Sequence, residues 1–374
     1  MKIAILGNSA RNAGVHLAAD LAMAGHEVRL APLAGDRLDI DAIARDGIRL
    51  EGPAAELTGG RPGVARLAAA TADPAEATDG AELVIVDMES LKYEAHGPAI
   101  AAALRPGQVV HVDTHGYWAA LRLWPFLVAA GRTDVVVTET VAPIASASWV
   151  DGTVHVQKRR RALDAGAFPS ERSAAALGLL ARAVPAMQPA RDVLQTNLAN
   201  GNLLVHPAML LLNVGWFDRA EAEGQRADCY GEGVTAHVSR LAAAQDREVA
   251  LVAQAYGVPS RSAAEAVRRL YGGEGDDFRA AVKGCDYYQS LGPLPAATWR
   301  GWGKVDLTHT LVPMVALARM AGVKVPIHEG YVALFAALLG CDPVAEGLTP
   351  ERLGIAGMDR AALGHFLRTG RRGD

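Results

Sequence analysis

Short apolar runs alternate with helix-period segments through the first half of the chain. Lys2–Leu6 is a β-forming run that ends at Gly7. Val15, Leu17, Ala18, Leu21 and Ala22 then share one helix face, Gly25-His26 closes that helix, and residues 27–30 form a second apolar run. Leu83–Val86, Val109–Val112 and residues 135–138 read as buried strands, with helices at 98–104 and 121–130 between them. Residues 154–158 read as a later strand near a sheet edge, followed by a basic run from Lys158 to Arg161 that reads as a solvated face. Strands that alternate with helices predict a mostly parallel sheet with ligands at the carboxyl ends of its strands. The loops in that position hold Asp87-Met88-Glu89, Asp113-Thr114-His115 and Thr138-Glu139-Thr140.

From about Arg191 the pattern becomes helical. Residues 200–214 are apolar nearly all round after Pro207, as a buried helix should be, with Gly215 placed to cap it. Pro207 lacks an N–H and disfavours helical geometry at His206, so a kink is expected there. Further helices are expected at 239–256, 262–271, 311–320 and Pro326–Leu339. A link with Pro185 and Pro189 separates the two patterns. The fold class is therefore α/β plus all-α. A Rossmann-type parallel-sheet domain, the kind that binds dinucleotides, is expected over 1–188, and a helical domain over 189–374.

Composition narrows the function. A length of 374 residues suits two domains, and 50% hydrophobic residues give each a core. A net charge of −4 offers no argument for nucleic acid or an anionic membrane. Cys229, Cys285 and Cys341 are far apart and lack C-x-x-C spacing, which fits reduced thiols and a cytoplasmic protein with no metal site. The opening apolar run is too short for a signal peptide, and the later run at 331–340 is about half a membrane span.

A β-turn-helix-β unit at the start of the chain is the usual setting for a dinucleotide's diphosphate. The glycine pattern is altered: Gly7-Asn8-Ser9-Ala10-Arg11-Asn12-Ala13-Gly14 carries Ser9 and Asn12 where G-x-G-x-x-G has glycines. Ser9 and Ala13 are small enough for the backbone to approach a diphosphate, and Arg11 adds a charge beside it. A tight strand-to-helix turn with no ligand would look the same. Gly7, Ser9, Asn12, Ala13 and Gly14, with Met88 and Thr140 from the later loops, are the candidate cofactor contacts. No carboxylate stands directly at the end of the second strand, whereas Arg37 follows it. That favours NADP over NAD, unless Asp36 does the acidic job and Arg37 is merely solvated.

Asn202 and His206, four apart, share a helix face in a Leu-rich segment. A lone buried His there is compatible with a satisfied core residue. Beyond it, Asn202-x-x-x-His206-Pro207 with Leu211-Leu212-Asn213 resembles the signature of the octopine/nopaline (opine) dehydrogenase family. Thr138-Glu139-Thr140, Leu163-Asp164-Ala165 to Pro169, Glu232-Gly233-Val234-Thr235, Gly257-Val258-Pro259, Gly292-Pro293 and Asp306-Leu307-Thr308-His309-Thr310-Leu311-Val312-Pro313 resemble that family's landmarks in order. The resemblance spans nearly the whole chain and is weakest at the glycine loop and around Met88 to Trp118. It implies NAD(P)H-dependent condensation of an amino acid with a 2-oxo acid by imine reduction. It also implies that His206 and Asp306 form the acid/base pair, that Asn202 holds a substrate oxygen and that Arg300 binds a carboxylate. Arg300 reads equally well as a solvated surface residue. Trp118, Trp299 and Trp302 suggest either an aromatic-lined pocket or core packing. The alternatives are a 2-oxo-acid or ketone reductase on the same scaffold and a nucleotide sensor without catalysis. The expected partners are small molecules only, with a homodimer as the possible oligomer. The substrate is expected in a cleft between the domains.

Overall fold

The computed structural model describes residues 1–51 and 62–373, and at 145, 146 and 157–159 the backbone. It divides into two compact units, Met1–Thr196 with His365–Asp374, and Asn197–Gly364.

The first unit is built on the strands β1 (Lys2–Leu6), β2 (Glu27–Ala31), β3 (Ala69–Ala70), β4 (Leu83–Val86), β5 (Val109–Val112), β6 (Val136–Thr140), β7 (Leu163–Phe168) and β8 (Met187–Pro189). The apolar runs become strands buried on both faces: all four residues of β4 and of β5 are buried. Across the sheet the order is 8-7-6-5-4-1-2-3. β3 through β6 are parallel and lie in the doubly wound order 3-2-1-4-5-6. β7 runs antiparallel to β6, and β8 parallel to β7. Strand order reverses between β1 and β4, so the glycine loop after β1 and the Asp87-Met88-Glu89 loop after β4 flank the crevice where such folds bind ligands.

Counting helices of nine residues or more that lie wholly within it, this unit holds α1 (Ala13–Met23), α2 (Tyr93–Ala103), α3 (Ala119–Ala129) and α4 (Ser173–Ala183); a further one, Arg360–Thr369, crosses the division between units. α2 starts before Pro98, because the fully buried Tyr93, under the Arg122 guanidinium at 4.3 Å, anchors its first turn. Thr153–Arg159 is not an edge strand of the main sheet. It lies inside a separate four-stranded sheet, between Ile48–Glu51 (parallel) and Ala145–Val150 (antiparallel). The basic run that follows is not one solvated face: Arg160 is buried and Arg161 exposed, while the side chains of Lys158 and Arg159 lie outside the described residues.

The division between units falls at Thr196/Asn197, later than the expected 188/189. Met187 is buried and pairs with Leu163, and the Ala190 N–H continues the ladder onto Ala165 O at 2.8 Å. A three-residue strand has too little periodicity to show in the sequence. The C-terminal segment also belongs to the first unit, where Phe366 packs on Phe168 with ring centroids 5.2 Å apart.

The second unit is helical: α5 (Gly201–Leu212), α6 (Val214–Ala222), α7 (Ala236–Ala255), α8 (Ala263–Tyr271), α9 (Thr298–Asp306), α10 (Val312–Met320) and α11 (Pro326–Leu339). α5 is central and packs against α7, α8 and α9. Asn200 caps it, accepting from the Asn202 and Leu203 amides at 2.8 and 3.3 Å. The expected break at Pro207 does not occur; α5 runs through it. Pro207 leaves Leu203 O without its helical donor, and the buried Gln245 side chain supplies one, donating to Leu203 O and Leu204 O at 2.9 Å each. The helix ends instead at Asn213, whose amide donates to Met209 O at 2.7 Å and Gly233 O at 3.0 Å, and Gly215 lies within α6. Among the described residues, no helix is long and apolar enough to cross a membrane.

Candidate active site

The glycine loop keeps two of the three tasks of a dinucleotide fingerprint. Gly7 turns at φ +84°, and a Cβ there would stand 2.5 Å from Asp87 O. A Cβ on Gly14 would stand 2.1 Å from Gly7 O, so α1 packs on β1 only with glycine at this position. Asn12 takes the left-handed conformation at φ 51°, which Asn tolerates. Four of the loop amides face acids. Asn8 N donates to Asp36 at 2.9 Å, Ser9 N and Gly14 N to Asp87 at 2.8 Å each, and Ala10 N to Glu89 at 2.8 Å. Arg11 spans Asp87 at 3.2 Å and Asp113 O at 3.0 Å. Burial pushes the Asp87 carboxyl up, and the Arg11 guanidinium opposes that shift.

Amides converging on carboxylate oxygens form an anion nest at a helix N-terminus, so frame and donors fit a dinucleotide's diphosphate. Asp87 is buried and neutralised. Asp36 and Glu89 are partly exposed, and the diphosphate would compete with them for Asn8 N and Ala10 N. Asn8, Ala10 and Glu89, absent from the sequence-derived candidates, therefore belong to this loop. Two candidates from the neighbouring loops lie inside the unit: Met88 is buried, and the buried Thr140 hydroxyl is committed to Ala142 O at 2.8 Å and Thr114 O at 3.4 Å. Arg37 is exposed.

In the second unit His206 Nδ1 lies 2.9 Å from Asp306 Oδ2, a hundred residues later in the chain. Both side chains are buried. α9 presents Asp306 together with Trp302, four residues earlier and so on the same face. Trp302 stacks on the imidazole with centroids 5.1 Å apart and planes at 9°. A π-helical turn, Leu307–Leu311, follows Asp306 directly; such irregular turns recur at functional sites. Asp306 Oδ1 is buried with no hydrogen-bond partner among the described residues. On its far side, His206 Nε2 meets the Tyr230 hydroxyl at 3.0 Å. Neither Tyr230 nor the stacking of Trp302 on His206 was apparent from motif spacing; only the four-residue step from Trp302 to Asp306 pointed that way.

Asn202 lies one turn before His206 on α5 and is half-buried. Arg300 is not brought to His206. Six residues before Asp306, it points to another face of α9, where it is exposed and bonded to Glu221 at 2.7 and 2.5 Å. Trp299 packs on Phe217 instead of the His–Asp pair. No group of three or more His, Cys, Asp or Glu placed to hold a metal occurs among the described residues.

A doubly wound unit with an anion nest after β1, joined in one chain to a helical unit with a buried His–Asp pair, is the combination that NAD(P)-dependent dehydrogenases use. Residues 189–339 match the family described as NAD/NADP octopine/nopaline dehydrogenase, alpha-helical domain. The chain is similar to the opine dehydrogenase of Arthrobacter sp. (strain 1C), 28% identical over 354 residues, 94% of this chain and 95% of the relative. Its fold is that of octopine dehydrogenase solved with NADH and L-arginine, with TM-score 0.74 at 18% identity, covering 100% of this chain and 99% of that one. It also resembles yersinopine dehydrogenase with NADP+ bound, with TM-score 0.63 at 16% identity, covering 98% of each chain. Residues 189–339 thus match the alpha-helical domain of the NAD/NADP octopine/nopaline dehydrogenases, and over nearly its whole length the chain is similar to an opine dehydrogenase.

Proposed function

We propose that this protein joins the amine of an amino acid to a 2-oxo acid and reduces the resulting imine. The observation that carries the reading is the buried His206–Asp306 pair at 2.9 Å. An ionised Asp306 only accepts, so it holds the proton on Nδ1 and leaves Nε2 as the basic nitrogen. His206 then takes a proton from the substrate ammonium and returns it to the departing oxygen, with Asp306 stabilising the imidazolium between these steps. Asp306 Oδ1, which has no partner among the described residues, would accept from an iminium N–H. Asn202 would hold a substrate carboxylate or oxo oxygen, and Arg300 would have to leave Glu221 to bind a carboxylate. The dinucleotide, held by the loop from Gly7 to Gly14, supplies the hydride.

The deciding experiment is nicotinamide oxidation measured over a matrix of amino acids and 2-oxo acids, for wild type and His206→Ala. Turnover that needs both substrates, and that falls about 10²–10⁴-fold in the variant while dinucleotide affinity holds, is expected. Turnover on the oxo acid alone would replace the imine by a simple carbonyl reduction. For the cofactor we infer a preference for NADPH, with the exposed Arg37 reading the 2′-phosphate. Asp36, accepting from Asn8 N and Leu33 N at 2.9 and 2.8 Å, favours NADH as the second reading. Fluorescence titration of both cofactors decides: Arg37→Ala should weaken NADPH and leave NADH unchanged.

A further inference from the structure

The nitrogen on which the proposed chemistry depends is not open. His206 Nδ1 faces Asp306, so Nε2 carries the lone pair, and the Tyr230 hydroxyl at 3.0 Å donates to it. Tyr230 is held there by three contacts. Its ring stacks on Tyr288 with centroids 4.3 Å apart. Its loop is tied by Asp228, which accepts from Gly231 N at 2.7 Å, while the Lys283 ammonium donates to Gly231 O. The residue is buried, 5% exposed. A side chain fixed this firmly does not behave as a loose cover over His206.

We propose that Tyr230 is the third member of the acid/base unit, its hydroxyl passing protons between His206 Nε2 and the substrate, first from the ammonium to His206 and then from His206 to the departing oxygen. The inference rests on the reaction proposed above. In the dehydration step the amino-alcohol formed from the two substrates breaks its C–O bond. The leaving oxygen takes the Tyr230 O–H proton and departs as water, and the nitrogen lone pair forms C=N. Tyr230 recovers a proton from the His206 imidazolium, which ends neutral with Nδ1–H still on Asp306. Tyr230 is unchanged over the cycle. Burial pushes its own ionisation well above the ordinary tyrosine range. The two transfers must therefore be coupled, because a free tyrosinate would not form. With a ketone substrate the same relay ends on the carbonyl oxygen.

Tyr230→Phe removes one oxygen and keeps the ring on Tyr288, so the melting midpoint should not move. Turnover should fall about 100-fold or more with little change in KM, the scale of a lost acid/base group. A proton inventory in H2O–D2O mixtures should be curved for wild type, reporting two protons in flight, and linear for the variant. A purely structural role would move neither the curvature nor the split between kcat and KM. Wild-type turnover in Tyr230→Phe would overturn the relay and make the hydroxyl a placeholder. A second measurement needs no turnover: in ¹⁵N-histidine-labelled, cofactor-free protein, the His206 Nε2 resonance should shift towards that of a free ring nitrogen on Tyr230→Phe. An unmoved resonance denies the His206–Tyr230 bond and overturns the relay as well. A wild-type enzyme inert towards every amino acid, oxo acid and pair, with the resonance shifted, would instead sink the proposed reaction and the relay with it.

Discussion

Asp87 in one unit and Asp306 in the other are buried carboxylates where helices begin or end, and the two are used differently. Asp87, under the N-terminus of α1, accepts from the amides of Ser9 and Gly14 at 2.8 Å and from Arg11 at 3.2 Å. Both its oxygens are bonded, and a cation neutralises it. Asp306, at the end of α9, accepts from one ring nitrogen of His206 at 2.9 Å, and its Oδ1 has no partner among the described residues. An unpartnered buried oxygen costs stability, and that cost persists only where something compensates for it. The saturated carboxylate fixes a loop. The half-satisfied one keeps a proton acceptor beside a titratable imidazole. Between these two acids, the number of donors, more than depth, separates the one that fixes a loop from the one beside the imidazole.

That contrast breaks most sharply under paired amides. Asp306→Asn should leave the fold intact and lower turnover by about 10³–10⁴-fold, because the amide no longer holds the proton on His206 Nδ1 or stabilises the imidazolium. Asp87→Asn should do the reverse. It leaves the Arg11 guanidinium without its counter-charge and costs about 2–4 kcal/mol, a drop of roughly 5–15 °C in melting midpoint, with turnover per folded molecule changed far less. Calorimetry beside steady-state kinetics on both variants checks this. A crossed result, with Asp306→Asn unfolding the protein and Asp87→Asn abolishing turnover in a folded one, would end the distinction.

The two acids also differ in how far the sequence reveals them. The β1-turn-α1-β2 unit, the buried strands and the long helices follow from periodicity, because each is set by residues within a few positions of one another. His206 and Asp306 are a hundred residues apart, and only their resemblance to a family pattern brought them together. Tyr230 stayed hidden because it sits in a turn, Asp228-Cys229-Tyr230-Gly231, whose place depends on Tyr288 and Lys283 much later in the chain. The capping of the glycine loop by Asp36, Asp87 and Glu89 was equally silent. The loops were legible as strand ends, but which amide each carboxylate meets depends on sheet order. Pro207 predicted a break for a sound local reason, but the helix continues through it, and Gln245, from a different helix, donates to the Leu203 O that the proline leaves unbonded. The substitution of Ser9 and Asn12 for glycines left the ligand question open, since the motif reports backbone freedom and says nothing of the side chains that face it.

A third acid gives the comparison an intermediate case. Asp246, on α7, receives the Ala263 N–H at 3.0 Å on both oxygens, with no cation bonded to it among the described residues. Burial pushes its pKa up to about 7, against the Ala263 bond that lowers it. With the ordinary carboxyl value near 3.8, the folded protein holds this proton across a range in which the unfolded chain has lost it. Stability from this group is therefore fully present below about pH 4 and is lost as pH rises towards 7. Asp246→Asn keeps an acceptor for Ala263 N but has nothing to ionise. Its melting midpoint relative to wild type should rise steadily between about pH 4 and pH 7 and then level off, while turnover of the folded enzyme is unaffected. On turnover the expected effect is the smallest of the three, because Asp246 does not touch the His206 unit. A midpoint difference that stays flat across this range would show that a single amide donor suffices to keep the acid charged. Charge neutralisation by Arg11 would then no longer be needed to explain why Asp87 can stay buried.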